Sequence, residues 1–151
     1  MSIPLSIYAD RPSVGRAAAA HVMSILAKTL AEKGSARVIF ACAPSQDQFL
    51  ESLVELSIDR VEWQKVIAFH MDEYIGLSAT HPASFRHYLQ THFLSHVQIG
   101  AFHPIAGEAP EPERECARYA ALVQHAPIDL ICLGIGENGH LAFNGSARCK
   151  F

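Results

Sequence analysis

Three short stretches bring together the residue types of acid–base and anion chemistry: Ala43-Pro44-Ser45-Gln46, Met71-Asp72-Glu73-Tyr74, and Gly134-Ile-Gly-Glu-Asn-Gly-His140. Each follows an apolar run. Asp72 and Glu73 are poor core material. Neighbouring side chains on an extended backbone point to opposite sides, so one of the two faces any given pocket. A carboxylate placed there can take a proton from a carbon beside a carbonyl, or from a hydroxyl. The alternative is a strand end that reaches solvent, with one acid capping a later helix. His140 can serve as acid or base near neutral pH, or be hydrogen-bonded inside a turn. The glycines around it, Gly136 and Gly139 among them, permit unusual backbone angles and close approach of a ligand. In the Pro44-Ser45-Gln46 loop, Ser45 precedes helical residues, so its hydroxyl and the amides that follow it either cradle a phosphate or Ser45 caps the helix.

These loops need a scaffold, and the rest of the chain supplies one. Leu5–Ile7–Tyr8 suggests a short strand. Asp10 or Ser13 can cap a helix with its stripe from Val14 to Lys33, which Gly34 ends. Arg37–Cys42 reads as a buried strand, and a helix follows from about Gln46 to Leu56. Val66–Met71 is the next strand. Pro82 starts a third helix at its first turn, carrying Phe85, Tyr88, Leu89 and Phe93. A weak extended segment near Phe102–Ile105 precedes a helix over Arg114–Gln124 and a last strand, Ile128–Leu133. Apolar strands without alternation, separated by helices, predict a three-layer α/β/α domain around a mostly parallel, Rossmann-like sheet. In such sheets ligands sit beyond the carboxyl ends of the strands, where all three loops fall.

Composition narrows the function. The 151 residues fit one domain, and half are apolar. A net charge of −3 gives no reason to expect nucleic acid, and no basic run marks an anionic membrane. No apolar run reaches a membrane-spanning length and the N-terminus lacks signal-peptide features, so a cytoplasmic location is expected. The four cysteines form no CxxC, and the nine histidines show no HExxH spacing, so no metal site is expected. Cys42 and Cys132 read as buried thiols. Gly134, Gly136 and Gly139 spell a dinucleotide-type GxGxxG, but the strand before them is the last, not the first, and no ribose-binding acid lies about 20 residues on.

FHMDEYIGLSATHPASF together with DLICLGIGENGHLAFN resembles the glucosamine-6-phosphate deaminase (isomerase) family, which is related to the 6-phosphogluconolactonases. The resemblance runs from the first helix to Asn144. It implies conversion of glucosamine 6-phosphate and water to fructose 6-phosphate and ammonia, without metal or organic cofactor. It implies Asp72 as the base moving a proton between C2 and C1 of the opened sugar. His140 would assist ring opening, Glu73 would support from the same acidic motif, and the Ser45 loop would hold the phosphate.

The chain also departs from that family. Asn138 stands where many members carry Asp; an amide can orient His140 but cannot stabilise its charged form as a carboxylate would. APSQ lacks the glycine- and threonine-rich form of the phosphate loop. Gly145 and Ser146 occupy a region where an acid is usual, and the tail GSARCKF is unlike the family. An incomplete domain lacking the family's C-terminal part is therefore expected, with an unpaired sheet edge that association into a homo-oligomer would cover. Two other functions follow as alternatives: a catalytically impaired sugar-phosphate binding module, and a lactonase in which His140 activates water.

Overall fold

A computed structural model describes residues 4–142. The first helix, α1, spans Arg11–Lys33. Asp10 caps it, its carboxylate accepting from the Ser13 N–H at 2.8 Å, and Pro12 sits in the first turn. Gly34 ends it at φ 74°, a left-handed conformation suited to glycine. Strand β1 is Ala36–Phe40 and strand β2 is Val66–His70. Between them lie a 3₁₀ turn at Pro44–Gln46 and helix α2, Asp47–Ser57. Helix α3 (Phe85–His92) leads to β3 (Ala101–His103), and α4 (Pro112–Gln124) leads to β4 (Leu130–Cys132).

The four strands are all parallel, in the order β3-β2-β1-β4. The chain winds outward from β1 through β2 to β3, then returns to place β4 on the other side of β1. Right-handed crossovers in opposite directions must put their helices on opposite faces. Side chains report those faces. Ala36, Val38 and Phe40 alternate into one core with Leu26 of α1 and Leu50 and Leu53 of α2, and Phe40 meets Phe93 beyond α3, ring centroids 5.0 Å apart. Arg37 points the other way. Its guanidinium donates to the Leu122 and Ala126 carbonyls at the end of α4, and lies 4.9 Å over the Phe69 ring. Thus α1, α2 and α3 form one layer and α4 the other, the expected three-layer architecture.

One clamp joins the amino ends of the central strands. The Asp129 carboxylate accepts from the Arg37 N–H and from Lys33, while the Asp129 N–H donates to the Arg37 carbonyl at 2.9 Å. This fixes β4 beside β1 at their amino ends.

Two expected elements differ. Residues Leu5–Tyr8 form no strand; Leu5 and Ile7 are 84% and 86% exposed. Among the described residues no strand pairs with them. The third helix begins at Phe85, not Pro82, because Ser84 takes the cap, its Oγ accepting from the His87 N–H. Among the described residues no helix is long and apolar enough to cross a membrane, and no cluster of three potential metal ligands occurs.

Phe40 is fully buried at the junction of β1, α3 and the strand end that feeds the site. Phe40→Ala should lower unfolding stability by about 3–5 kcal/mol, as truncation of a core aromatic does; urea unfolding measures it.

Candidate active site

The loops after β1, β2 and β4 converge on one cavity of about 170 Å³. It lies at the sheet's switch point, where winding reverses beside β1. Ala41, Cys42, Ala43 and Ser45 line it from β1, Met71 and Asp72 from β2, Phe85 from α3, and Gly134, Ile135, Gly136, His140 and Ala142 from β4. Asp72 and His140 therefore share a single cleft.

The His140 loop is a tight backbone knot. The Gly136 N–H donates to the His140 carbonyl at 2.9 Å and the Gly139 N–H to the Gly136 carbonyl at 2.8 Å. Gly139 adopts φ 81°, the left-handed region. The imidazole lies so close over Gly136 that any β-carbon there would overlap the ring. Asn138 Oδ1 accepts from the His140 backbone N–H at 3.2 Å and contacts Nδ1. An amide oxygen only accepts, so Nδ1–H is the donor in this contact, and the neutral tautomer that carries it has its lone pair on Nε2.

The two acids of MDEY part company. Asp72 lines the cavity, whereas the Glu73 carboxylate is fully buried beneath α3. It accepts from Ser84 Oγ (2.7 Å), from the N–H groups of Tyr74, Phe85 and Arg86, and from Arg86 Nε (3.0 Å). Burial alone would raise its pKa; the Ser84 hydroxyl and the three backbone N–H groups outweigh burial and hold it below the ordinary value. Glu73, expected to support from the same acidic motif, thus stands at a helix-capping position and is not among the residues that line the cavity. The capping alternative open to one of the two acids describes it.

The phosphate-loop candidates also divide. Ser45 lines the cavity and caps nothing; its Oγ accepts from Gln46 Nε2 at 3.3 Å. Gln46 is buried and faces the groove behind the loop, and the exposed Pro44 offers its carbonyl to Arg11, so neither lines the cavity. Asn138 and Gly139 do not line it either, and act on His140 from behind. The first turn of α2 already holds the Asp47 carboxylate, to which the Tyr88 hydroxyl donates at 2.7 Å. Tyr88 Oη also lies 2.9 Å from the Ala43 carbonyl, pinning the β1 loop to α3. No lysine or arginine lines the cavity among the described residues. Asn144, Gly145, Ser146 and the tail lie outside those residues.

Two nearby groups are not competing acids or bases. Burial first, then Asp72 and Glu73, push the Cys42 thiol far above its usual range. Burial also drives His70 down to about 4, so it is neutral; its Nε2 accepts from the Ile105 N–H at 2.8 Å.

Residues 9–148 match the family described as glucosamine-6-phosphate isomerases/6-phosphogluconolactonase. The chain belongs to this family. A glucosamine-6-phosphate deaminase of Exiguobacterium sp. is 43% identical over 86 residues, covering 57% of this chain and 34% of the relative. That of Proteus mirabilis is 39% identical over 101 residues, covering 64% and 38%. The matched part thus spans little more than a third of these relatives' length. The structure of a monomeric glucosamine-6-phosphate deaminase superposes with a TM-score of 0.78 at 27% identity, covering 89% of this chain and 56% of the other. A 6-phosphogluconolactonase of Shewanella baltica, with a TM-score of 0.75 at 18% identity and coverage of 89% and 57%, shares the fold.

Sequence reasoning missed Tyr88, Ser84 and Arg86. Tyr88 was legible only as an apolar helix position, and the other two gain their role from Glu73, eleven and thirteen residues away. Two outcomes follow. Gly136→Ala should displace the imidazole without unfolding the chain, seen as a shifted His140 ring resonance with unchanged far-ultraviolet circular dichroism. Glu73 has a folded-state pKa below its unfolded value, so its stabilisation is full above the unfolded value and disappears as pH falls through the folded one. Urea midpoints measured from about pH 7 down to about pH 3 should fall less steeply in Glu73→Gln than in the wild type.

Proposed function

We propose that this chain carries the base and the ring-opening group of an amino-sugar phosphate deaminase–isomerase. The substrate is glucosamine 6-phosphate, and the products are fructose 6-phosphate and ammonia. One observation supports the reading above all others: Asp72 and His140, from different strand ends, line the same cavity beside Ser45. Aldose–ketose isomerisation needs a base at an acidified C–H and an acid–base group at the ring oxygen.

His140, with Nδ1–H held by Asn138, has Nε2 available to exchange a proton with the ring oxygen as the sugar opens. In the open aldehyde the C2 hydrogen is acidified by the adjacent carbonyl. Asp72 takes it, giving an enolamine, and returns a proton to C1. The resulting C2 iminium adds water and expels ammonia, leaving the ketone, so one water is consumed per turnover. Ser45 and neighbouring backbone amides meet the phosphate. Homologue names support the deaminase within the family, and the proposal treats the chain as a single sugar-phosphate domain.

A second reading, sugar-phosphate binding without turnover, is favoured by Asn138. An amide leaves the protonated imidazole without the carboxylate that would stabilise it. Ammonia release from glucosamine 6-phosphate separates the two. Turnover by the wild type, reduced about 10²–10⁴-fold in Asp72→Asn with the fold retained, is expected for a general base. No ammonia at high protein concentration, with calorimetric binding preserved, establishes the second reading instead.

A further inference from the structure

Arg86 is a buried cation paired with the residue after the candidate base, and it ties three segments together. Its Nε donates to Glu73 at 3.0 Å, Nη1 reaches Glu108 in the loop after β3 at 2.7 Å, and Nη2 donates to the Leu77 carbonyl at 2.7 Å. Its side chain is 7% exposed and that of Glu73 is 0% exposed. A buried ion pair of this kind is costly to break, because the survivor remains as an uncompensated charge. The same contacts join the turn after Asp72 to Phe85, whose N–H also caps onto Glu73 and whose side chain lines the cavity.

Asp72 and Glu73 are consecutive carboxylates, yet a base for carbon acids must be ionised. We infer that Arg86 is a positioning residue for Asp72: by neutralising Glu73 and bolting residues 73–77 to α3, it lets the neighbouring carboxylate stay charged at the cavity wall. Without Arg86 the Glu73 charge, held by four other donors, has no counter-ion, and like charge disfavours the ionised form of Asp72. Other groups also lie around Asp72. Cys42 on the β1 loop is a neutral thiol and His70 on β2 a neutral imidazole. Asp47 and Tyr88 behind the β1 loop pair with each other, Glu108 adds a further negative charge, and His140 lines the same cavity.

The inference rests on the deaminase reading only for the task it gives Asp72. Its test uses the full chain without substrate, so its failure and a failed ammonia assay are separate results. Titrating the Asp72 carboxyl by carbon-13 NMR should show its midpoint raised by about one pH unit in Arg86→Gln, a tenfold change in the protonation equilibrium. Arg86→Lys, which keeps the charge, should reverse most of that shift and return the midpoint towards the wild-type value. A role confined to holding the fold would lower the melting temperature in both variants and move neither midpoint. A folded Arg86→Gln with the wild-type Asp72 midpoint overturns the inference. Should Arg86→Gln not fold, Glu73→Gln removes the opposing charge and should lower the Asp72 midpoint; an unmoved midpoint there overturns it equally.

Discussion

Strand β1 is paired on both sides, and the crossovers that build its two flanks run in opposite directions. The loops leaving β1 and β4 must therefore diverge, one toward the α2 face and one toward the α4 face. A parallel sheet wound this way cannot close the space above its central strands, and the β1 and β4 loops line that space while Met71, Asp72 and Phe85 line it from β2 and α3. The Asp129 clamp at the opposite end keeps β4 in register, with Val38, Ile39 and Phe40 opposite Leu130, Ile131 and Cys132. Register at the amino ends thus sets where His140 stands at the carboxyl ends.

Within that frame the loops are held by polar groups rather than by apolar packing. Glu73 gathers five donors, Tyr88 holds the β1 loop, and the backbone of residues 136–140 bonds to itself. Each device solves the same problem. Residues at a strand end must leave the ladder, and their freed backbone groups need partners close to a ligand site. Rigidity there has a chemical use, since a base misplaced by an ångström loses much of its effect.

The scaffold was legible because buried parallel strands announce themselves as unbroken apolar runs. Val38–Phe40 and Val66–Phe69 needed no knowledge of partners to be read. So was the division of Asp72 from Glu73, which follows from strand geometry alone, although which acid faced inward did not. What the sequence hid depends on long-range partners. Arg37 sits inside an apolar run because it caps α4, eighty-five residues away in sequence at its nearest contact. Arg86 looks like an exposed helix charge until Glu73 and Glu108 meet it. Gln46 belongs to a loop that looked as if it presented every polar residue to a ligand, yet the 3₁₀ turn at Pro44–Gln46 rotates it under Ser45. Leu5 and Ile7 are strand-like residues, but among the described residues no strand pairs with them.

The account turns on Asp72 and His140 serving one ligand in one cleft. Titrating the isotope-labelled chain with fructose 6-phosphate, and following backbone and side-chain resonances by NMR, tests this most directly. Ser45, Asp72, Gly136 and His140 should shift together along one binding curve, while Gln46 and residues of α4 stay still. Shifts at only one of Asp72 and His140, or a coherent set of shifts on another face, would contradict it.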